Sequence, residues 1–229
     1  MKRRDFNTSL ASLVIVGGLA ACGGGDDAPL LAVAADGTST IDPEVLLARL
    51  DAYPVETPLS AAEAASLAYM REEEQLAHAV YDYSAGLYAP VIFDKIADSE
   101  YSHTTAIETL LERYGLPDPL QGLPEGTFAT QTFQDLYAAL TAASRVSLVE
   151  ALKVGVLIEE LDIRDIEQQK AAIDNADILM VYDNLLRGSR NHLRAFMKVL
   201  TLQGGTYVPQ YISQAEFDAI VASPIETGR

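Results

Sequence analysis

Glu100 and His103 lie where a helix would bury them. From Phe93 to Tyr114 the chain reads FDKIADSEYSHTTAIETLLERY. At helical spacing Phe93, Ile96, Ala97, Ile107, Leu110, Leu111 and Tyr114 form one apolar stripe. Asp94, Lys95, Asp98, Ser102, Thr105, Thr109, Glu112 and Arg113 face the other way, with Glu108 at the border. The carboxylate and the imidazole interrupt the stripe at its middle. Burying a carboxylate costs several kcal/mol unless it is paired or bound to a cation. A Glu and a His at i, i+3 point the same way, and that donor pair suits Fe(II), Mn(II) or Zn(II). The alternative is a plain Glu–His hydrogen bond inside a core.

Three further helices carry similar exceptions. Glu74 sits on the stripe of Leu67, Met70, Ala77 and Tyr81, whereas Glu72 groups with Arg71 and Asp82 on the expected wet side and Glu73 lies at the edge beside Val80. His78, one turn beyond Glu74, is a second-choice ligand. In LVEALKVGVLIEELDIRDI the polar strip is Lys153, Glu160, Arg164 and Glu167. Glu159 falls instead with Leu152, Gly155 and Ile166, and Asp162 at i+3 is a second-choice oxygen ligand. Gly155 costs helix stability of roughly 1 kcal/mol against Ala, and its small size leaves space beside a site. The last long helix buries Ile178, Val181, Tyr182, Leu185, Leu193, Phe196 and Val199, with Ser189 and His192 as its intruders.

The elements that must position these groups are helical. Asp42-Pro43-Glu44 starts a short helix to about Ala52; Ser60 with Glu63 forms a capping box for a long helix to about Ser84. Pro90 opens the helix that ends at Gly115-Leu116-Pro117. A Gly- and Pro-rich loop over 115–131 precedes a short helix from Phe133 to Ala142. Ser147 with Glu150 caps a long helix to about Ile173, another runs from about Ala176 to Leu202, and Ser213 with Glu216 starts a short terminal one. No segment alternates as a strand. Short gaps within each pair of long helices and a long connection between the pairs predict an all-α four-helix bundle with a crossover and short accessory helices.

Glu74, Glu100-x-x-His103, Glu159 and His192 fall where the ferritin-like superfamily places its ligands, and the chain resembles that superfamily. There two helices each give a Glu and two give Glu-x-x-His. The spacing of Glu74 and Tyr81 also looks like the first helix of bacterioferritin. More closely, MREEEQLAHAVYDY, IFDKIADSEYSHTTAIETLL, GVLIEELDIRDI, GSRNHLRAF and YVPQYIS are similar to a bacterial family catalogued as domain of unknown function 2202, over about Leu67 to Ile220. The resemblance implies a ferritin-like fold and a carboxylate/histidine site for iron, as one or two ions, or else manganese or zinc. Ferroxidase or peroxidase chemistry would follow, with Tyr81 as a redox or hydrogen-bonding neighbour. Ser189 stands where the pattern has its last glutamate, so a second iron would have fewer anionic ligands. The rival reading is a non-catalytic envelope protein with a buried Glu/His network or a structural metal.

Composition narrows the field. Of 229 residues 49% are hydrophobic, enough for one sizeable core. The net charge is −17, and discounting Lys2, Arg3, Arg4 and Asp5 (+3 − 1 = +2) leaves −19. Nucleic acid is therefore not an expected partner; metal ions are, and a homodimer is a candidate assembly. No phosphate loop or nucleophile elbow is present. The basic start KRR, the apolar run LASLVIVGGLAA and Leu19-Ala20-Ala21-Cys22 resemble a bacterial lipoprotein signal over 1–22, with Cys22 acylated and the protein on the periplasmic side of the envelope. Arg3-Arg4-Asp5-Phe6 resembles the twin-arginine export signal, the general secretory route being the alternative. Residues 23–41 read as a flexible tether and 42–229 as the helical domain. Replacing Cys22 with Ser is expected to move the mature protein from the membrane to the soluble fraction, since acyl chains contribute roughly 0.8 kcal/mol of membrane binding per buried CH₂.

Overall fold

A computed structural model describes residues 28–89 and 92–227. The signal segment, Cys22 and Pro90 lie outside those residues. The described chain is predominantly helical. In order it comprises β1 (Leu31–Val33), β2 (Ser39–Ile41), α1 (Pro43–Leu50), α2 (Ala61–Ala85), α3 (Ile92–Arg113), α4 (Gln131–Ser144), α5 (Leu148–Lys170), α6 (Ala176–Leu202) and α7 (Gln214–Ala222).

The four long helices α2, α3, α5 and α6 form the bundle. α2 packs along α3 and α5 along α6, and further contacts of α3 with α6 and α2 with α5 close the ring. Leu67, Met70, Tyr81, Phe93, Ile107, Leu152, Ile166, Val181, Tyr182, Leu185, Leu193 and Phe196 meet at its centre, all fully buried. Roughly 1.5–3 kcal/mol per such side chain holds the faces together. Helix starts follow the caps. Asp42 accepts hydrogen bonds from the Glu44 and Val45 amides, Ser147 from Glu150, and Ser213 from Glu216. Only Ser60 and Glu63 complete a reciprocal capping box among these starts. The Glu150 side chain pairs with Lys153 at 2.8 Å instead.

Three expectations fail, each for a tertiary reason. First, the expected tether over 23–41 includes a β-hairpin packed on the bundle. β1 and β2 pair antiparallel, Leu31 with Ile41 and Val33 with Ser39, and Leu31, Ser39 and Ile41 are buried. Gly37 turns the hairpin at φ +95°, a conformation that favours glycine. Second, Arg71 and Glu72 are not on a wet face. The 115–130 loop covers them: Arg71 donates to Thr104, Glu108 and Asp118, and Glu72 accepts from the Thr130 amide at 3.0 Å. Third, Glu160 is buried, not part of a solvated strip. The segment after α6 wraps over it, and its carboxylate accepts from Tyr207 at 2.6 Å and from the amides of Gln210, Tyr211 and Ile212. A loop that folds back on a helix turns a charged face into an interior one.

Glu63 joins the start of α2 to the turn between α5 and α6. Besides capping α2 it accepts hydrogen bonds from the Asp174 and Asn175 amides at 3.1 Å and from the Asn175 side chain at 2.6 Å, in the α5–α6 turn. Burial acts to raise its pKa, but the hydrogen bonds from Asn175 and Ser60 outweigh it and bring the pKa from 4.5 to about 2. A depressed carboxyl stabilises the fold fully above the unfolded value of 4.5 and loses that contribution as pH falls through about 2. Glu63→Gln is therefore expected to cost about 2 kcal/mol in denaturant melts at neutral pH. The gap to the parent should close as the melts are repeated toward pH 2.

Candidate metal centre

Five of the residues that interrupt the four stripes, Glu74, Glu100, His103, Glu159 and His192, meet in one place. Glu74, Glu100, His103, Glu159, Ser189 and His192 are all at most 1% exposed. α2 brings Glu74, α3 Glu100 and His103, α5 Glu159, and α6 Ser189 and His192. Each helix puts its group inward because apolar neighbours one turn away share its stripe and are buried: Met70 and Ala77 beside Glu74, Ile96 and Ala97 beside Glu100, Val156 and Ile163 beside Glu159, Ala195 and Phe196 beside His192.

Glu100 is the hub. Its Oε2 accepts from His103 Nδ1 at 2.8 Å. Its Oε1 lies 2.6 Å from His192 Nδ1, misaligned for a hydrogen bond. Glu74 Oε2 flanks His103 Nδ1 at 3.4 Å, and Glu159 Oε2 flanks His192 Nδ1 at 3.6 Å. The donor atoms therefore divide into two sets, Glu74–Glu100–His103 and Glu100–Glu159–His192, each with its atoms within 4.8 Å of one another, and Glu100 belongs to both. The imidazole rings are nearly parallel, 16° apart with centroids at 5.5 Å. Both turn Nδ1 toward the carboxylates and Nε2 toward Ser39, whose Oγ lies 3.0 Å from His192 Nε2 and 3.4 Å from His103 Nε2.

Several donors have no protein partner. Both oxygens of Glu74, Oε1 of Glu100, Oε2 of Glu159 and Nδ1 of His192 are buried without a hydrogen bond. Such atoms ordinarily cost about 1–3 kcal/mol each, more when charged, unless a cation or proton takes the place of the missing donor. Burial pushes Glu74 and Glu159 above the usual carboxylate range, the neighbouring Glu100 adds to the shift, and their imidazoles partly oppose it. Burial would raise Glu100 as well, but His103 and His192 outweigh it and hold it well below that range. The histidines respond in the opposite sense. Burial disfavours their charged form, yet Glu100 with the flanking glutamates carries His103 up to about 10 and His192 up to about 9. Without metal, two imidazoliums supply the positive charge that the carboxylates require.

Tyr81 borders the second set and donates its hydroxyl to Glu159 Oε1 at 2.7 Å, with the Gly155 carbonyl at 3.3 Å. Gly155 does not leave empty space: a Cβ there would lie 2.7 Å from the Phe196 ring, which packs tilted at 50° against Tyr81. Of the second choices, His78 is not brought to the cluster. Its ring turns outward from α2, with Nδ1 2.8 Å from the Ala97 carbonyl and Nε2 3.6 Å from Glu125. Asp162 is fully buried with both oxygens unpartnered, and its burial together with Glu73, Glu74, Glu159 and Glu100 pushes its carboxyl well up; neither donor set includes it. Glu73, expected at the edge, is also buried without a donor and is raised by burial and by Asp165. Sequence reasoning missed Ser39 altogether. Its signal was the Asp36-Gly37 turn between the short runs Leu31–Val33 and Ser39–Ile41.

Fold and site together define a helical bundle with a buried, two-fold divided carboxylate/histidine cluster that residues of all four long helices create. The chain belongs to the family described as "Uncharacterized protein domain (DUF2202)", whose model matches residues 63–224. It is 45% identical over 171 residues to "Uncharacterized protein MJ0754" of Methanocaldococcus jannaschii, covering 75% of this chain and 92% of the relative. The crystal structure of that hypothetical protein superposes with a TM-score of 0.73 at 44% identity, over 76% of this chain and 99% of its own. That relative is archaeal, so the family is not confined to bacteria as the sequence resemblance had it. The hairpin that carries Ser39 lies outside the matched residues.

Binding a metal through His103 and His192 must displace their protons. Because both imidazoles are held protonated up to about 9–10, affinity for Zn(II) or Mn(II) is expected to rise with pH from 6 to 9. Titration calorimetry in buffers of differing ionisation enthalpy would show proton release on binding. Pairing works in the other direction for the metal-free protein. Its raised imidazoles contribute stability fully below 6.5, lost as pH passes through about 9–10.

Proposed function

We propose that this chain is an envelope protein, lipid-anchored through Cys22, with a ferritin-like bundle that binds metal at the Glu/His cluster for redox chemistry on oxygen or peroxide. One observation carries the metal reading: Glu100 directs one carboxylate oxygen at each of two imidazole Nδ1 atoms, and each pair is flanked by a further buried carboxylate. The residues fit such a group, since buried donor atoms in both sets lack any protein partner. Glu74, Glu100 and His103 would hold one ion and Glu100, Glu159 and His192 a second. Iron bound there would supply electrons to oxygen or peroxide, whereas zinc would make the centre structural or sequestering.

The chain's own residues prepare the site. Burial excludes bulk water, which strengthens each charge interaction. The Tyr81 hydroxyl orients Glu159 and stands beside the cluster as a proton donor. Ser189 cannot supply the carboxylate of a full Glu-x-x-His half-site; its hydroxyl donates to the Leu185 carbonyl at 3.1 Å. Two imidazoles and three carboxylates are left for two ions, and Asp162, one turn along α5 from Glu159, is a further buried carboxyl with both oxygens unpartnered.

A second reading draws on the 2.8 Å hydrogen bond between His103 and Glu100: a proton-balanced Glu/His network that holds the bundle together without metal. One experiment separates the two. Under anaerobic reducing conditions the parent should melt higher with Fe(II) or Mn(II), by the equivalent of about 2.7 kcal/mol at a hundred times the dissociation constant. Glu100→Ala should abolish the rise and the bound metal. An unchanged parent melt with every metal, and a less stable metal-free Glu100→Ala, would establish the network instead. Oxygen consumption by the Fe(II)-loaded parent then distinguishes turnover from storage.

A further inference from the structure

We infer that Ser39, on the N-terminal hairpin, is a positioning residue that fixes both histidines with Nε2 protonated and Nδ1 free for metal; this rests on the metal reading above. Ser39 is 2% exposed, and its Oγ is the one protein hydrogen-bond partner recorded for either Nε2 among the described residues, at 3.0 Å for His192 and 3.4 Å for His103. A hydroxyl oxygen has two lone pairs and one hydrogen. It can therefore accept from two N–H groups at once. An imidazole that donates from Nε2 presents its Nδ1 lone pair to the carboxylate side, the tautomer a metal on that side requires.

The surroundings hold the hydroxyl in place. The Ser39 amide donates to Ser99 Oγ at 3.1 Å and the Ile41 amide to Ser102 Oγ at 3.0 Å, so both anchors belong to the helix that carries Glu100 and His103. At the turn Asp36 pairs with Lys95 at 2.5 Å. Gly188 of α6 makes the room. A Cβ there would come within 2.6 Å of His103 Cε1, 3.0 Å of its Nε2 and 3.2 Å of Ser39 Oγ. No side chain fits between the hairpin and the imidazoles. The bundle alone leaves their Nε2 edges without a partner, and the hairpin supplies one.

The test uses the full folded chain with Zn(II) and Co(II) as probes. Ser39→Ala is expected to weaken Zn(II) binding about 10–100-fold and to change the visible spectrum of bound Co(II). Ser39→Thr, which keeps the hydroxyl, should restore both to within about threefold. Ser102→Ala loosens the same hairpin without touching an imidazole and should bind like the parent. In the parent loaded with Zn(II), ¹⁵N spectra should show both histidines protonated at Nε2, a readout that holds even if Ser39→Ala fails to fold. An unprotonated Nε2 on either ring would overturn the assignment. So would a Ser39→Ala protein with parental affinity and spectrum, or equal losses in Ser102→Ala. A parent that binds neither ion would instead sink the metal reading itself.

Discussion

One buried carboxylate between two imidazoles governs this molecule. Glu100 is the only acid that both donor sets share, and it stays ionised in the protein interior because His103 and His192 stand on either side of it. Removing one member would strand the others, since an unpaired charge in a low-dielectric interior costs several kcal/mol. Everything around the site follows from that constraint. Helices α2 and α5 must approach closely enough to bring Glu74 and Glu159 alongside, and α6 must thin to Gly188 to admit the ring of His103.

Outside the centre, polar burial is concentrated where connections cross the bundle. Glu63 ties the start of α2 to the α5–α6 turn, Arg71 gathers the loop after α3, and Glu160 collects three consecutive amides of the segment after α6. These are satisfied groups: each carboxylate or guanidinium meets several partners, as burial of charge demands. The centre differs in kind. Its acids are crowded together and short of donors, with Glu73 and Asp162 extending the unpartnered set beyond the two donor groups. A fold can carry such a cluster when a cation or protons neutralise it. That contrast between satisfied polar crossings and an unsatisfied core supports a binding role for the core.

Much of the architecture and the cluster was legible before any coordinates. The period of apolar residues marks α2, α3, α5 and α6, Ser60, Ser147 and Ser213 mark starts, and polar residues on apolar stripes pick out Glu74, Glu100, His103, Glu159 and His192. That inference works because a long helix exposes its buried face as a pattern, and an ionisable residue breaking the pattern needs a partner at the same depth. His78 was harder: it lies near the stripe border, where a small rotation decides between the interior and the Ala97 carbonyl.

The sequence by itself therefore determined which helices form, and that Glu74, Glu100, His103, Glu159 and His192 turn inward, because those properties depend on residues within a few turns of each other. Only the tertiary structure decided that Glu72 and Glu160 are interior, since loops distant in sequence fold over faces that are polar by local pattern. It also decided that Glu100 is shared between two donor sets and that Ser39 stands behind both imidazoles. Three-residue strands carry too little periodicity to announce themselves, and a hydroxyl has no helical spacing to its two histidines, 64 and 153 positions away. Contacts of that range come into being when the bundle closes, where packing of whole faces sets distances that no local pattern contains.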